Sequence, residues 1–400
     1  MLGTLATGAC IPLAALSVLR YNYYYEKLGF QAFIDHYPVQ EFIPSAPQQL
    51  YGRTRLLQLP SFVARFDCHL WCDGQWPPCE PPAPRTLLSC VSGSLSNASV
   101  VRRGLLEAAD AREAAKAIAA AVGPGDEGPS ALVIQGGWAH LSEVLGDNDE
   151  ERAATTARLV SAFGSVSAGG YDFKRPGIRA FPIGLAESYM RRTWRSAKAA
   201  IESASLEPAS KPRGVLAGLS TTHYFYKAMM ELKQQYSLPV ESKTSDVIPL
   251  LTDWQGQPVH YATVVAARYV MHNWLQGGGP EANGISVDYR TVDKSQWWSE
   301  LAKYRFLMSP LGDYIQTAKT TEALLVLTVP VVERGPYIVH DELVNLGFPI
   351  VVVERWSEMT IERLEEWWEA LSPRLESFRR KCLTSEAYWQ MAIGELSHCA

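Results

Sequence analysis

The chain has 400 residues, 47% of them hydrophobic and 20% charged, with a formal net charge of −5. This is ordinary globular composition, long enough for two cores that need neither disulfides nor metals. It excludes the basic footprint of a nucleic-acid binder, since the densest cationic clusters (Arg191, Arg192, Arg195 and Arg379, Arg380, Lys381) are short and read as solvated helix faces.

From the N-terminus, Leu2 to Leu19 carries no charge, Arg20 closes the run, and Tyr21, Tyr23, Tyr24 and Tyr25 resemble an interfacial aromatic belt. Gly3, Gly8 and Pro12 weaken the run, and no basic residue precedes it. The positive charges follow it, which argues against a lumenal catalytic domain. Residues 1–30 are therefore set apart as a signal-anchor, a divergent signal peptide or a buried segment. Cys68, Cys72, Cys79 and Cys90 crowd a Pro-rich stretch, readable as a disulfide staple, as free thiols or as a metal site beside His69. Asn97-Ala98-Ser99 is a glycosylation sequon.

The Ala-rich stretch 104–122 predicts a helix stopped by Gly123-Pro124-Gly125. Ala131 to Ile134 predicts a buried strand, Asn148 to Phe163 a helix, and Gly177 to Gly184 a strand. Asp147-Asn148-Asp149 has the form of a metal-binding aspartate pair but also of a helix cap. Residues 187–211 form a polar helical connection between two units, 31–186 and 212–385. In the second, 214–218 reads as a strand, Thr222 to Gln235 and Val259 to Leu275 as helices, and Ser295 to Lys303 as a short helix. Strands follow at 304–308, 329–332 and 350–353, with a helix over 317–327 between the first two. Ser357 is expected to cap the next helix, and Pro373 to Lys381 and 386–396 to form a helical tail. Alternating strands and helices imply α/β architecture with parallel sheets.

The loop Ser309-Pro310-Leu311-Gly312-Asp313 leaves a strand end and enters a helix start, a geometry suited to a diphosphate. Lys319 in the first turn adds positive charge, Thr317, Thr320 and Thr321 offer hydroxyls, and Glu322 can accept from a ribose. Spacing alone also allows Lys319 and Glu322 to be a solvated helix face.

The runs Lys303-Tyr-Arg-Phe-Leu-Met-Ser-Pro-Leu-Gly-Asp, Thr320-Thr-Glu-Ala-Leu-Leu, Val329-Pro-Val-Val, Pro349-Ile-Val-Val-Val and Trp356-Ser-Glu-Met-Thr360 resemble the C-terminal half of exostosin-type glycosyltransferases in order and spacing. The resemblance implies a GT-B fold: two Rossmann-like domains facing a cleft, with a C-terminal crossing helix over 386–400. Residues 31–186 would be the acceptor-side domain and 212–385 the nucleotide-sugar domain. It implies an inverting transfer from a UDP- or GDP-sugar to a glycan or glycoprotein, with no cofactor or metal required. Ser309, Gly312, Asp313, Lys319, Thr320 and Glu322 would bind the donor. The expected location is a Golgi or other secretory membrane, lumenal and anchored by residues 2–19, with a cytoplasmic location as the alternative. Lys319 stands where the family usually has Arg, and loses its bidentate fork. Thr321 stands where an aromatic residue is frequent. These changes leave open a catalytically inactive homologue that binds a glycan or a partner.

An inverting transfer needs a general base. Asp35 and His36 are the first candidates, followed by Asp67, His69, His140 and Asp172.

Overall fold

Among the described residues, strands and helices alternate along the chain and assemble into two five-stranded parallel sheets and one two-stranded parallel pair. The computed structural model describes residues 29–41, 68–73, 97–103, 131–136, 140–218, 238–251, 262–312 and 315–399, with isolated residues at 230, 234 and 236. The predicted helices at 104–122 and, almost entirely, 222–235 lie outside the described residues, as do Asp67, Asp313, Cys79, Cys90 and the 2–19 run.

In the N-terminal half, β1 (Val39–Glu41) precedes the sheet strands β2 (Cys68–Asp73), β3 (Asn97–Arg103), β4 (Ala131–Gly136), β5 (Ser165–Ala168) and β6 (Ile178–Ala180). The sheet keeps the order β2-β3-β4-β5-β6, with every neighbour pair parallel. All four residues of β5 are buried, as a strand covered on both faces requires. Between β4 and β5 run α1 (Leu141–Leu145) and α2 (Asp149–Ala162). Asn148 caps α2 by accepting from the Glu151 N–H at 2.9 Å, and Asp149, Glu150 and Glu151 fill its positive first turn. The 147–149 run is thus a helix start. The sequon Asn97 opens β3, a strand paired on both sides, and does not lie on a loop.

After β7 (Leu185–Ala186), which pairs in parallel with β1, α3 (Glu187–Ser203) connects to the second half. The connection is not wholly polar: Met190, Ala197, Ala200 and Ile201 are buried in the larger core.

The C-terminal half contains β8 (Arg213–Gly218), α4 (Ala262–Gln276), β9 (Val287–Arg290), α5 (Trp297–Leu301), β10 (Tyr304–Met308), α6 (Ala318–Leu325), β11 (Val329–Glu333), α7 (Val339–Asn345), β12 (Val351–Val353), α8 (Ile361–Cys382) and α9 (Ser385–Ile393). Its sheet order is β12-β11-β10-β8-β9. Counted along the chain this is a doubly wound 2-1-3-4-5 sheet, whose winding reverses between β8 and β10. Val215, Leu216, Phe306, Leu307, Val329, Val331 and Val332 fill its centre, each such side chain contributing roughly 1.5–3 kcal/mol.

Two expectations here are corrected. Ser357 does not cap α8; it sits in a 3-10 turn (Trp356–Glu358), and Thr360 caps by accepting from Arg363 N–H at 3.3 Å. The buried Trp356 and the Asn283 amide, donating to the Ser357 and Met359 carbonyls, hold that turn. Pro373 does not begin a helix; it lies inside α8. An interior proline costs about 3 kcal/mol, but Leu364, Leu375 and Phe378 bury one continuous stripe on both sides of it.

The last helix packs back on the first half. Ser385 Oγ donates to the Tyr37 carbonyl at 2.8 Å, and Ser165 Oγ to the Ala392 carbonyl at 2.5 Å. A Cys382–Cys399 disulfide, 17 residues apart in sequence, closes a loop around α9. Among the described residues, no helix is long and apolar enough to cross a membrane.

Candidate functional site

In an open α/β sheet, ligands bind beyond the carboxyl ends of the strands where the winding reverses. Here that point is the gap between Gly218, the end of β8, and Ser309, just past β10. The polypeptide from Ser309 leads through Gly312 to α6, whose N-terminus faces the gap. Thr317 caps this helix, accepting from Lys319 N–H at 3.4 Å. Ser309 is buried; its N–H donates to the Val331 carbonyl at 2.8 Å, and its Oγ lies 3.4 Å from Thr320 Oγ1. Both residues therefore shape the loop from below.

Lys319 Nζ donates to the Gly218 carbonyl at 2.6 Å and lies 5.0 Å from the centre of the Trp297 ring. Glu322, 7% exposed, accepts from Trp297 Nε1 through Oε2 at 2.7 Å. Its Oε1 takes no hydrogen bond from a described residue. The indole lies over the strand end because residue 218 is glycine: a Cβ there would fall 2.7 Å from Trp297 Cζ3. Burial pulls the Lys319 ammonium down to about 8; Glu322 opposes that shift, and the Arg268 charge adds to it. Burial likewise raises Glu322, against the Trp297 hydrogen bond and the Lys319 charge. Arg268, on α4, is a second cation whose charge is felt at Lys319, and sequence reading missed it. A lone cation on a helix gives no sequence signal.

The electrostatic logic of α6 is uneven. A cation in a first turn lies at the positive end of the helix dipole, where it is disfavoured. Lys319 stands at this end. At the other end, Lys211 donates to the Val326 carbonyl at 2.7 Å and to Thr328 Oγ1 at 2.8 Å. Arg379 donates to the Leu325 carbonyl at 3.2 Å. Those two cations complement the negative end; Lys319 stands at the positive end, with the Glu322 carboxylate as its counter-charge.

The loop before α6 is also the seam between the halves. Gln316, buried, accepts from Ile183 N–H at 2.9 Å and donates to the Gly169 and Phe181 carbonyls, both at 2.8 Å. Thr321 Oγ1 donates to the Ile183 carbonyl at 2.6 Å. Thr321 therefore ties the helix to the first half, where an aromatic side chain could not make that bond. Leu311 and Ile315 enter one apolar cluster with Leu141, Val144 and Tyr171. Gly169 follows β5 and Phe181 follows β6, so the carboxyl ends of the first sheet abut the loop from the carboxyl end of β10.

At the same seam, His140 lies beyond β4 and meets Tyr337 edge-on, with ring centres 4.9 Å apart. Its Nδ1 is 3.8 Å from Asp172 Oδ2. Asp172 is fixed by the Ser142 N–H at 3.0 Å and by the Ser142 hydroxyl. Tyr337 bridges to the hydroxyl of Thr263 on α4 at 2.7 Å, and burial raises its phenol to about 12.

Asp35 and His36 are placed elsewhere. Both are exposed, at the end of the helix over 29–36, and Asp35 accepts from Gln31 at 2.8 Å. The neighbouring Tyr37 feels the charge of Arg379, which binds the far end of α6 from Lys319. His69 lies in β2, with its side chain outside the description. No group of three or more metal-ligating side chains occurs among the described residues.

No protein-family model matches the chain, and no curated protein matches its sequence, so membership of the exostosin family is not shown. Among solved structures the chain is similar to an α,α-trehalose-phosphate synthase (UDP-forming) from Burkholderia vietnamiensis. The identity is 10% and the TM-score 0.33, over 78% of this chain and 73% of that one. Two parallel-sheet units meeting at their carboxyl edges are the arrangement expected of a GT-B fold.

Proposed function

We propose that this chain is a glycosyltransferase that takes a UDP- or GDP-linked sugar and transfers it with inversion to a hydroxyl of a glycan or glycoprotein. The observation that carries the reading is Lys319, in the first turn at the positive end of α6 with its Nζ at the Gly218 carbonyl, beside the reversal point of the sheet. The diphosphate would sit on the first turn of α6 and replace the Gly218 carbonyl as the partner of Lys319. Glu322 Oε1 is the acceptor available to a ribose hydroxyl, with Oε2 held by Trp297.

The acceptor hydroxyl would approach from the His140 side. With Nδ1 turned toward Asp172, Nε2 is the nitrogen that takes the proton. The acceptor oxygen then bonds to the anomeric carbon from the face opposite the leaving group. The C–O bond to the diphosphate breaks, and its electron pair ends on the phosphate oxygen facing Lys319 and the helix N-terminus. Asp172 stabilises the imidazolium that forms. In this reading the base is His140, and Asp35 and His36 take no part.

A second reading rests on one observation. Lys319 and Glu322 already have protein partners, Gly218 and Trp297. A non-catalytic homologue that binds a glycan or partner would keep these bonds and take no nucleotide. A thermal-shift series with UDP, GDP and their sugars separates the two readings. A ligand at about 100 times its Kd adds about 2.7 kcal/mol to stability, or about 5–10 °C for a domain of this size. No shift with any of these nucleotides would overturn the transferase reading.

A further inference from the structure

Trp297 touches both groups of the candidate donor pair. Its Nε1 donates to Glu322 Oε2 at 2.7 Å, and the Lys319 ammonium lies 5.0 Å from the centre of its ring. The ring is seated on the strand end at Gly218, where a Cβ would fall 2.7 Å from Cζ3 and 3.2 Å from Cη2. The Gly218 carbonyl is in turn the partner of Lys319. The indole therefore meets the end of β8 and the first two turns of α6 at once.

The backbone behind it is anchored. α5 packs against α3 and β10, with Trp298 and Leu301 buried in the larger core. Adjacent residues of a helix do not share a face, so Trp298 holds α5 in the core while Trp297 turns toward α6. The chemistry of the indole makes its contact one-way, because Nε1–H is a donor with no acceptor lone pair. Glu322 is 7% exposed, and burial disfavours its ionised form; the Trp297 bond opposes that effect. The same bond is directional. With Oε2 held by the indole, the carboxylate is kept from turning, and Oε1 is the oxygen left to a ligand. A carboxylate held ionised and oriented is a strong acceptor for a hydroxyl.

We propose that Trp297 is a positioning residue for donor recognition: its indole N–H orients Glu322 so that Oε1 takes the ribose hydroxyls, and the site thereby selects a ribonucleotide over its 2′,3′-dideoxy counterpart. The proposal rests on the nucleotide-sugar reading of the site and adds to it the residue that sets selectivity for the ribose.

The test titrates UDP, GDP and their 2′,3′-dideoxy forms into the full chain and reads the ratio of the two affinities. The wild type should bind the ribose form of its nucleotide about 10–150-fold more tightly, the worth of hydrogen bonding to a charged group. Trp297→Phe keeps an aromatic face toward Lys319 and Gly218 and removes the N–H. It should bring the ratio close to one and leave the affinity for the dideoxy form as in the wild type. A merely structural loss would weaken both forms alike. In Glu322→Gln, where the charged acceptor is already gone, adding Trp297→Phe should change the ratio no further. Thermal midpoints report folding; should Trp297→Phe be unstable, Gly218→Ala displaces the same ring and should lower the ratio in its place. The proposal is overturned if the wild type does not distinguish the two forms, if the folded variant keeps the wild-type ratio or weakens both forms equally, or if Trp297→Phe still lowers the ratio in the Glu322→Gln background. Each of those results is read on a nucleotide that binds, and so leaves nucleotide binding standing. Failure of the wild type to bind either UDP or GDP removes the nucleotide-sugar reading and this proposal with it.

Discussion

Lys211 and Lys319 stand at opposite ends of the same short helix, and both ammonium groups are lowered by burial, to about 7 and about 8. Their partners separate them. Lys211 closes the helix C-terminus, binding the Val326 carbonyl and Thr328, and the dipole favours it there. Lys319 caps no helical carbonyl; it reaches across to Gly218 from the end where the dipole opposes it, with Arg268 nearby. A buried cation in a favourable place is part of the fold. A half-buried cation in an unfavourable place, at the reversal point of a parallel sheet, is what the proposed donor site rests on.

The largest expected effect concerns His140, the base of the proposed transfer. His140→Gln should lower kcat for sugar transfer by about 10²–10⁴ while UDP affinity stays unchanged, as read by steady-state kinetics with a titration alongside. If kcat does not move, the base lies elsewhere.

Next is the contrast between the lysines. Lys319→Met should weaken UDP binding by about 10–150-fold, the worth of one hydrogen bond to a charged group, with little loss of stability. Lys211→Met should do the reverse: UDP affinity per folded molecule holds, and stability falls by about 1–3 kcal/mol as the Val326 carbonyl and Thr328 lose their donor. Chemical denaturation reads the second effect. Equal losses of affinity in both variants would erase the comparison.

Gln316→Leu removes three bonds across the seam and should cost about 2–4 kcal/mol, as the Gly169 and Phe181 carbonyls lose this donor and the Ile183 N–H its acceptor.

The smallest effects are in pH. Above about 8 the Lys319 ammonium loses its proton in the free protein. UDP affinity should fall as pH rises past that point, by up to about tenfold per pH unit, and Lys319→Met should flatten the profile. Glu333 at the end of β11 is held by Thr244 N–H and Oγ1 at 2.8 and 2.7 Å, and burial raises it to about 7. Its folded value lies above its unfolded one, so its contribution to stability is full below about 4.5 and lost as pH rises through about 7. In Glu333→Gln that decline between the two values should disappear from the Tm–pH curve.

Much of the C-terminal half was legible because its signals are local. The strand at 304–308 and the helix after it follow from an apolar run and propensity over a few residues, whereas Thr317, read as a hydroxyl for the ligand, caps that helix. What the chain hid depends on distant partners. The reversal point requires Val215 to lie beside Phe306, a pairing that no short window encodes. Gln316 is one glutamine in a loop until Gly169, Phe181 and Ile183 are brought to it. Glu322 read as a ribose ligand, yet one of its oxygens belongs to Trp297, a residue from another helix. Pro373 misled for the same reason, since the apolar stripe that overrides it is tertiary. The Cys382–Cys399 bridge went unread because the crowded cysteines upstream carried the compositional signal.

Calorimetric titration of UDP and GDP into the wild type and Lys319→Met tests the central claim most directly. The account predicts that one nucleotide binds the wild type and binds Lys319→Met at least about tenfold more weakly, with the Lys211→Met protein unchanged. Equal affinity in wild type and Lys319→Met, or no binding of either nucleotide to the wild type, would contradict it.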